Sequence, residues 1–68
     1  MLIDLEFTAQ RVKLIRVRLG LSQVEFGRKI GVDADLISRY ERGLVKPTQG
    51  RVLGALLRAE NEADGVLH

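Results

Sequence analysis

Apolar residues recur at helical spacing in four segments of the chain and at every second position in one. Val12, Ile15 and Leu19 fall at i, i+3, i+7, which draws one stripe along a helix. Phe26 and Ile30 stand four apart. Leu36, Ile37 and Tyr40 supply a third apolar side, and Val52, Leu53, Leu56 and Leu57 a fourth. Start and stop residues bound these stripes. Thr8 is an N-cap type, with Phe7 placed to staple onto Val12, and Gly20 is a stop, so the first helix runs from about Thr8 to Leu19. Ser22 and Glu25 have capping-box spacing and Leu21 can staple to Phe26; Gly31 ends a second helix over Gln23–Ile30. Asp33 caps a third, from about Ala34 to Arg42, with Val32 and Ile37 at the staple positions and Gly43 after it. Asp33 thus has a structural reason to be acidic, because its carboxylate suits the orphan N–H groups and the positive end of that helix. A fourth helix begins near Thr48, after Pro47. Gly50 and Gly54 weaken it and leave room for another helix to approach; fraying is expected between Arg58 and Asp64.

Residues 1–7 have a different pattern. Ile3, Leu5 and Phe7 alternate with Asp4 and Glu6, the period of a strand. An all-helical domain has no sheet for such a strand to join. Three readings stay open: an ordered arm on the core, a pairing strand in a dimer, or the cut end of a longer chain. The organisation expected is therefore an arm (1–7), one helical domain (8–62) and a C-terminal tail (63–68).

The joint between the second and third helices carries the most specific pattern. Counting Gln23 as the first residue, the fifth is Gly27 and the ninth is Gly31. Two helices that cross steeply need a small residue at the fifth position, and the turn needs a positive φ at the ninth. Phe26, Ile30, Val32, Ile37 and Tyr40 put apolar side chains at the fourth, eighth, tenth, fifteenth and eighteenth. These requirements meet in one window laid out as a helix-turn-helix.

Charge supports that pattern weakly. All eleven Lys and Arg lie between Arg11 and Arg58, against four acids in the same span, while Asp4, Glu6, Glu60, Glu62 and Asp64 make both ends acidic. A basic middle is a footprint expected for nucleic acid. The 68 residues make one small domain, which is marginally stable alone. There is no cysteine, and the single histidine is the terminal His68, so no metal site or cofactor is expected. Catalysis is not expected either: there is no glycine-rich phosphate loop, and Asp33 and Asp35 have no partner base. No run of 18 apolar residues occurs, and "MLIDLEF" carries acids where a secretory leader carries lysines. A cytoplasmic protein is the expectation.

The stretches "LGLSQVEFG", "IGVD", "ISRYERG" and "KP" resemble the Cro/lambda-repressor, or XRE, family of helix-turn-helix proteins from Val12 to about Leu57. "SRYERG" is also similar to the DNA-binding domain of MqsA-type antitoxins, whose zinc-binding cysteines have no counterpart here. The resemblance implies a compact all-α domain of four to five helices that binds double-stranded DNA as a homodimer on a palindromic operator. It implies that the third helix enters the major groove with Ala34, Asp35, Ser38 and Arg39 facing the bases. Arg39 is the expected reader, since its fork matches guanine O6 and N7. Ala34 is placed to touch a thymine methyl. Asp35 either accepts from cytosine N4 or holds Arg39 across one turn; the second role is favoured, because it aims the fork. Ser22, Gln23, Arg42 and Lys46 take phosphate positions, whereas Arg28 and Lys29 read as solvated helix face. Arg16 and Glu41 occupy the positions of a partly buried ion pair.

The chain departs from the family at three points. Position 27 is commonly alanine, the recognition helix begins with more acid than most, and a fifth, dimerising helix is incomplete. Leu14, Val17, Leu44 and Val45 stand where the family prefers polar residues. They are either an apolar patch for a toxin, a dimer mate or another domain or, for Leu14 and Val17, a surface covered by the arm.

Overall fold

The computed structural model describes residues 4–66. Four helices follow one another: α1 (Ala9–Arg18), α2 (Gln23–Ile30), α3 (Ala34–Glu41) and α4 (Gly50–Val66). No strand occurs among the described residues. Each of the first three helices starts on a side-chain cap: Thr8 accepts from Arg11 N, Ser22 from Glu25 N and Asp33 from Leu36 N. Each is followed by a glycine in the left-handed region, Gly20, Gly31 and Gly43, where the chain turns and late carbonyls are taken up by the next amides.

Phe7, Val12, Ile15, Phe26, Ile30, Ile37, Tyr40, Val52, Leu56, Ala59 and Ala63 form the core. Phe26, Val12, Ile37 and Leu56 are fully enclosed. Burial of Tyr40 pushes its phenol above the ordinary range.

Three expectations are corrected. First, α4 does not fray after Arg58 but continues to Val66. Its buried stripe runs on through Ala59 and Ala63, both 1 % exposed, at i+7 and i+11 from Val52. Acids near a helix C-terminus ordinarily oppose the macrodipole. Here they are drawn to bases on α1 and α2: Glu60 to Arg11, Glu62 to Lys29 and Asp64 to Arg18, at 2.7, 2.6 and 3.6 Å.

Second, of the readings open for the arm, the strand-like alternation does not hold over residues 4–7, which lie on the core as an ordered arm. Leu5 is exposed while Phe7 is buried, so the two do not share a face as alternate strand residues would. Asp4 Oδ1 accepts from Glu6 N and turns the backbone. Arg11 Nη1 then donates to the carbonyls of Asp4 and Glu6 at 2.9 and 3.0 Å, and its guanidinium lies 3.9 Å over the Phe7 ring. The carboxylate of Glu60 on the same guanidinium raises its pKa further above the ordinary arginine value. Ile3 lies outside the described residues. Leu14 and Val17 are not covered by residues 4–8 and remain 47 % and 56 % exposed; with Gln10 and Lys13 they line a shallow groove on the outer face of α1.

Third, Gly50 and Gly54 do not admit a neighbouring helix. A Cβ at Gly50 would meet nothing within 4 Å, and one at Gly54 only the tip of Arg58.

Candidate nucleic-acid interface

Two short helices and a tight turn position the candidate residues. Ser22 Oγ accepts from Glu25 N while Ser22 N donates to Glu25 Oε1, at 3.0 and 2.8 Å, and the donors at Ser22 hold the Glu25 carboxyl below its usual range. At the other end of α2, the carbonyl of Gly27 accepts from both Gly31 N and Val32 N, at 2.8 and 2.9 Å. Gly31 has φ 87°, which its lack of a Cβ permits without strain. The turn brings its backbone back onto α2: a Cβ on Gly27 would lie 2.6 Å from the Val32 carbonyl oxygen. Glycine at position 27 lets the turn approach this closely; an added methyl, as in the alanine common in the family, requires the Val32 carbonyl to shift.

Inside the corner, Arg16 grips Glu41 with two prongs, Nε to Oε2 at 2.7 Å and Nη2 to Oε1 at 3.0 Å. Side-chain exposure is 16 % for Arg16 and 6 % for Glu41, so this pair is largely withdrawn from water. The bond to Glu41 raises the Arg16 pKa further above its ordinary value. Arg16 Nη1 also donates to Leu21 O at 3.0 Å, and Gln23 Nε2 to Glu41 Oε1 at 3.3 Å. One ion pair thereby ties the end of α1, the start of α2 and the end of α3.

On α3, Ile37 and Tyr40 point inward. The opposite side carries Ala34 and Ser38, both half-buried, and Asp35 and Arg39, both exposed. Asp33 Oδ1 is occupied by Leu36 N at 2.8 Å. Asp35 Oδ2 lies 3.0 Å from Arg39 Nη2, across one turn. Arg42 and Lys46 are exposed beyond the helix: Arg42 Nε approaches Ser38 O at 3.4 Å, and Lys46 Nζ lies 3.1 Å from Glu6 Oε1. Of the two bases on the outer side of α2, Arg28 is exposed and Lys29 is engaged by Glu62.

Gln23 reaches Glu41 on α3, in keeping with the family position that sets this side chain against the recognition helix. Two further contacts are not predicted from the sequence: Glu6 with Lys46 and Arg11 with Glu60 join residues 40 and 49 positions apart, and no periodicity links such positions. The spacing of Phe7 and Arg11, i and i+4, was the one local signal for the clamp on the arm.

Among the described residues, no helix is long and apolar enough to cross a membrane. No curated protein and no solved structure matches the chain. A helix-turn-helix family model matches residues 12–58, which takes in most of α1, all of α2 and α3, the loop after them and the first half of α4. The chain therefore belongs to the XRE family of helix-turn-helix DNA-binding transcription regulators.

Proposed function

We propose that this protein binds duplex DNA sequence-specifically, as a two-fold dimer on a palindromic operator, and represses transcription by occupying it. One observation carries the reading. The exposed side of α3 presents an arginine fork aimed by a carboxylate one turn earlier, Asp35 to Arg39, on a helix whose other side is locked into the core by Ile37 and Tyr40. An outward-facing fork is the geometry that suits a guanine edge. Ala34 and Ser38 flank it against neighbouring bases. Ser22, Gln23, Arg42 and Lys46 take the phosphates on either side and set the register. Half-sites then lie about one helical turn, roughly 10 bp, apart. Arg16 and Glu41 support the site by holding α3 against the start of α2.

The test is fluorescence anisotropy with duplexes selected from a random pool, titrated at two salt concentrations. Enriched, inverted-repeat sequences bound tightly and with a steep loss on adding salt are the expected result. No enrichment, with only weak binding that salt erases, would overturn sequence-specific reading. It would favour a second reading, an antitoxin-like or other protein-interaction module that recognises its own operon only together with a partner protein. That reading rests on the uncovered apolar groove around Leu14 and Val17.

A further inference from the structure

We infer that Glu6 is a built-in competitor for DNA phosphate at Lys46, so that the N-terminal arm sets the affinity of the interface. The inference rests on the proposed DNA-binding function and adds a regulatory element to it. Lys46 Nζ and Glu6 Oε1 are 3.1 Å apart, and both side chains are about two-thirds exposed, 68 % and 67 %. An exposed ion pair between two freely moving chains is commonly a chance meeting worth little. This one differs because a buried neighbour fixes the backbone at each end. Phe7, next to Glu6, is 2 % exposed in the core, and Arg11 holds the Glu6 carbonyl from the other side. Pro47, next to Lys46, is buried as well. The carboxylate is therefore delivered to the ammonium by the fold.

Water reaches both partners, so a phosphate oxygen approaching Lys46 meets an ammonium already occupied by an anion. Binding exchanges one anion for another and leaves Glu6 facing a polyanion. The arm thus lowers affinity through charge alone, without obstructing the groove. This brake is carried on a segment separate from the recognition helix, and removal or displacement of that segment would release it.

A four-variant cycle tests this: wild type, Glu6→Gln, Lys46→Gln and the double variant, each titrated by anisotropy with a labelled mixed-sequence 20 bp duplex at low and at moderate salt. Circular dichroism checks that all four keep their helices. Glu6→Gln should tighten binding by about two- to five-fold at low salt, the range set by an exposed ion pair, and the gain should shrink as salt screens it. With Lys46 already replaced, the same substitution should bring less than half of that gain. An equal gain in both backgrounds, or none in either, would overturn the inference while leaving the DNA-binding function standing. Absence of binding by all four variants at low salt would overturn that function, and the inference with it.

Discussion

Gly27 and Gly54 are both glycines inside helices, yet the molecule uses them in opposite ways. At Gly27 the backbone of the turn comes so close that a Cβ would sit 2.6 Å from a carbonyl oxygen; at Gly54 a Cβ would meet only the flexible end of Arg58. The contrast extends to their surroundings. The corner of α2 and α3 is fixed within a window of about twenty residues by two caps, a left-handed glycine and a close backbone contact. Helix α4 is held from outside, by alanines laid against the core and by acids reaching α1 and α2. Positioning of the proposed interface is concentrated in the first region. The second supplies the wall against which it packs.

The largest expected effect lies at the junction of the two regions with α1. Glu41→Gln removes the partner of Arg16 and leaves a guanidinium largely withdrawn from water. Loss of one member of a buried pair costs roughly 3–5 kcal/mol; the remaining exposure of Arg16 reduces this to about 2–4 kcal/mol. Chemical denaturation measures it, and a loss below about 1 kcal/mol would reduce the pair to an ordinary surface contact.

Gly27→Ala comes next. Overpacking costs about 1–3 kcal/mol and the helix regains up to about 1 kcal/mol of propensity, so a net loss of about 1–2 kcal/mol is expected. Gly54→Ala should do the reverse and stabilise by about 0.5–1 kcal/mol, because nothing obstructs the new methyl. The comparison breaks if the two substitutions shift the denaturation midpoint in the same direction.

These two residues also mark what could be read from the chain and what could not. The first three helices announce themselves through residues that act within one turn: Thr8, Ser22 with Glu25, Asp33 and the glycines that follow. The end of α4 does not. Alanines at 59 and 63 carry little hydrophobic signal, and Glu60, Glu62 and Asp64 point to fraying unless their partners are known. Those partners lie on α1 and α2, 33 to 49 residues away along the chain. The arm is open to several readings for a related reason: its alternation imitates a strand, while Arg11 satisfies its carbonyls from a neighbouring helix. In the interface, the exposed side of α3 and the Asp35–Arg39 contact follow from helical spacing. The contact of Lys46 with Glu6 does not, since only the fold brings residues 6 and 46 together.

The smallest effect concerns acid. Glu25 has its carboxyl held below the usual range by the Ser22 donors. A lowered folded-state pKa means that the capping box contributes fully above the unfolded carboxyl value of about 4.3, and that this contribution is lost as pH falls through the lower folded value. Glu25→Gln keeps an acceptor but no charge. Its stability deficit relative to wild type should therefore be present near neutrality and close below about pH 4. A deficit that stays constant down to pH 3 would contradict the assignment.

The most direct test of the account is specificity profiling of wild type and Arg39→Ala on a fully randomised duplex library. If Arg39 reads a base from the groove-facing side of α3, the substitution should erase the preference at one base pair per half-site, costing roughly 1–3 kcal/mol there, and leave the other positions unchanged. An identical sequence preference in the two proteins would contradict the account, because the only fork aimed outward from α3 would then read nothing.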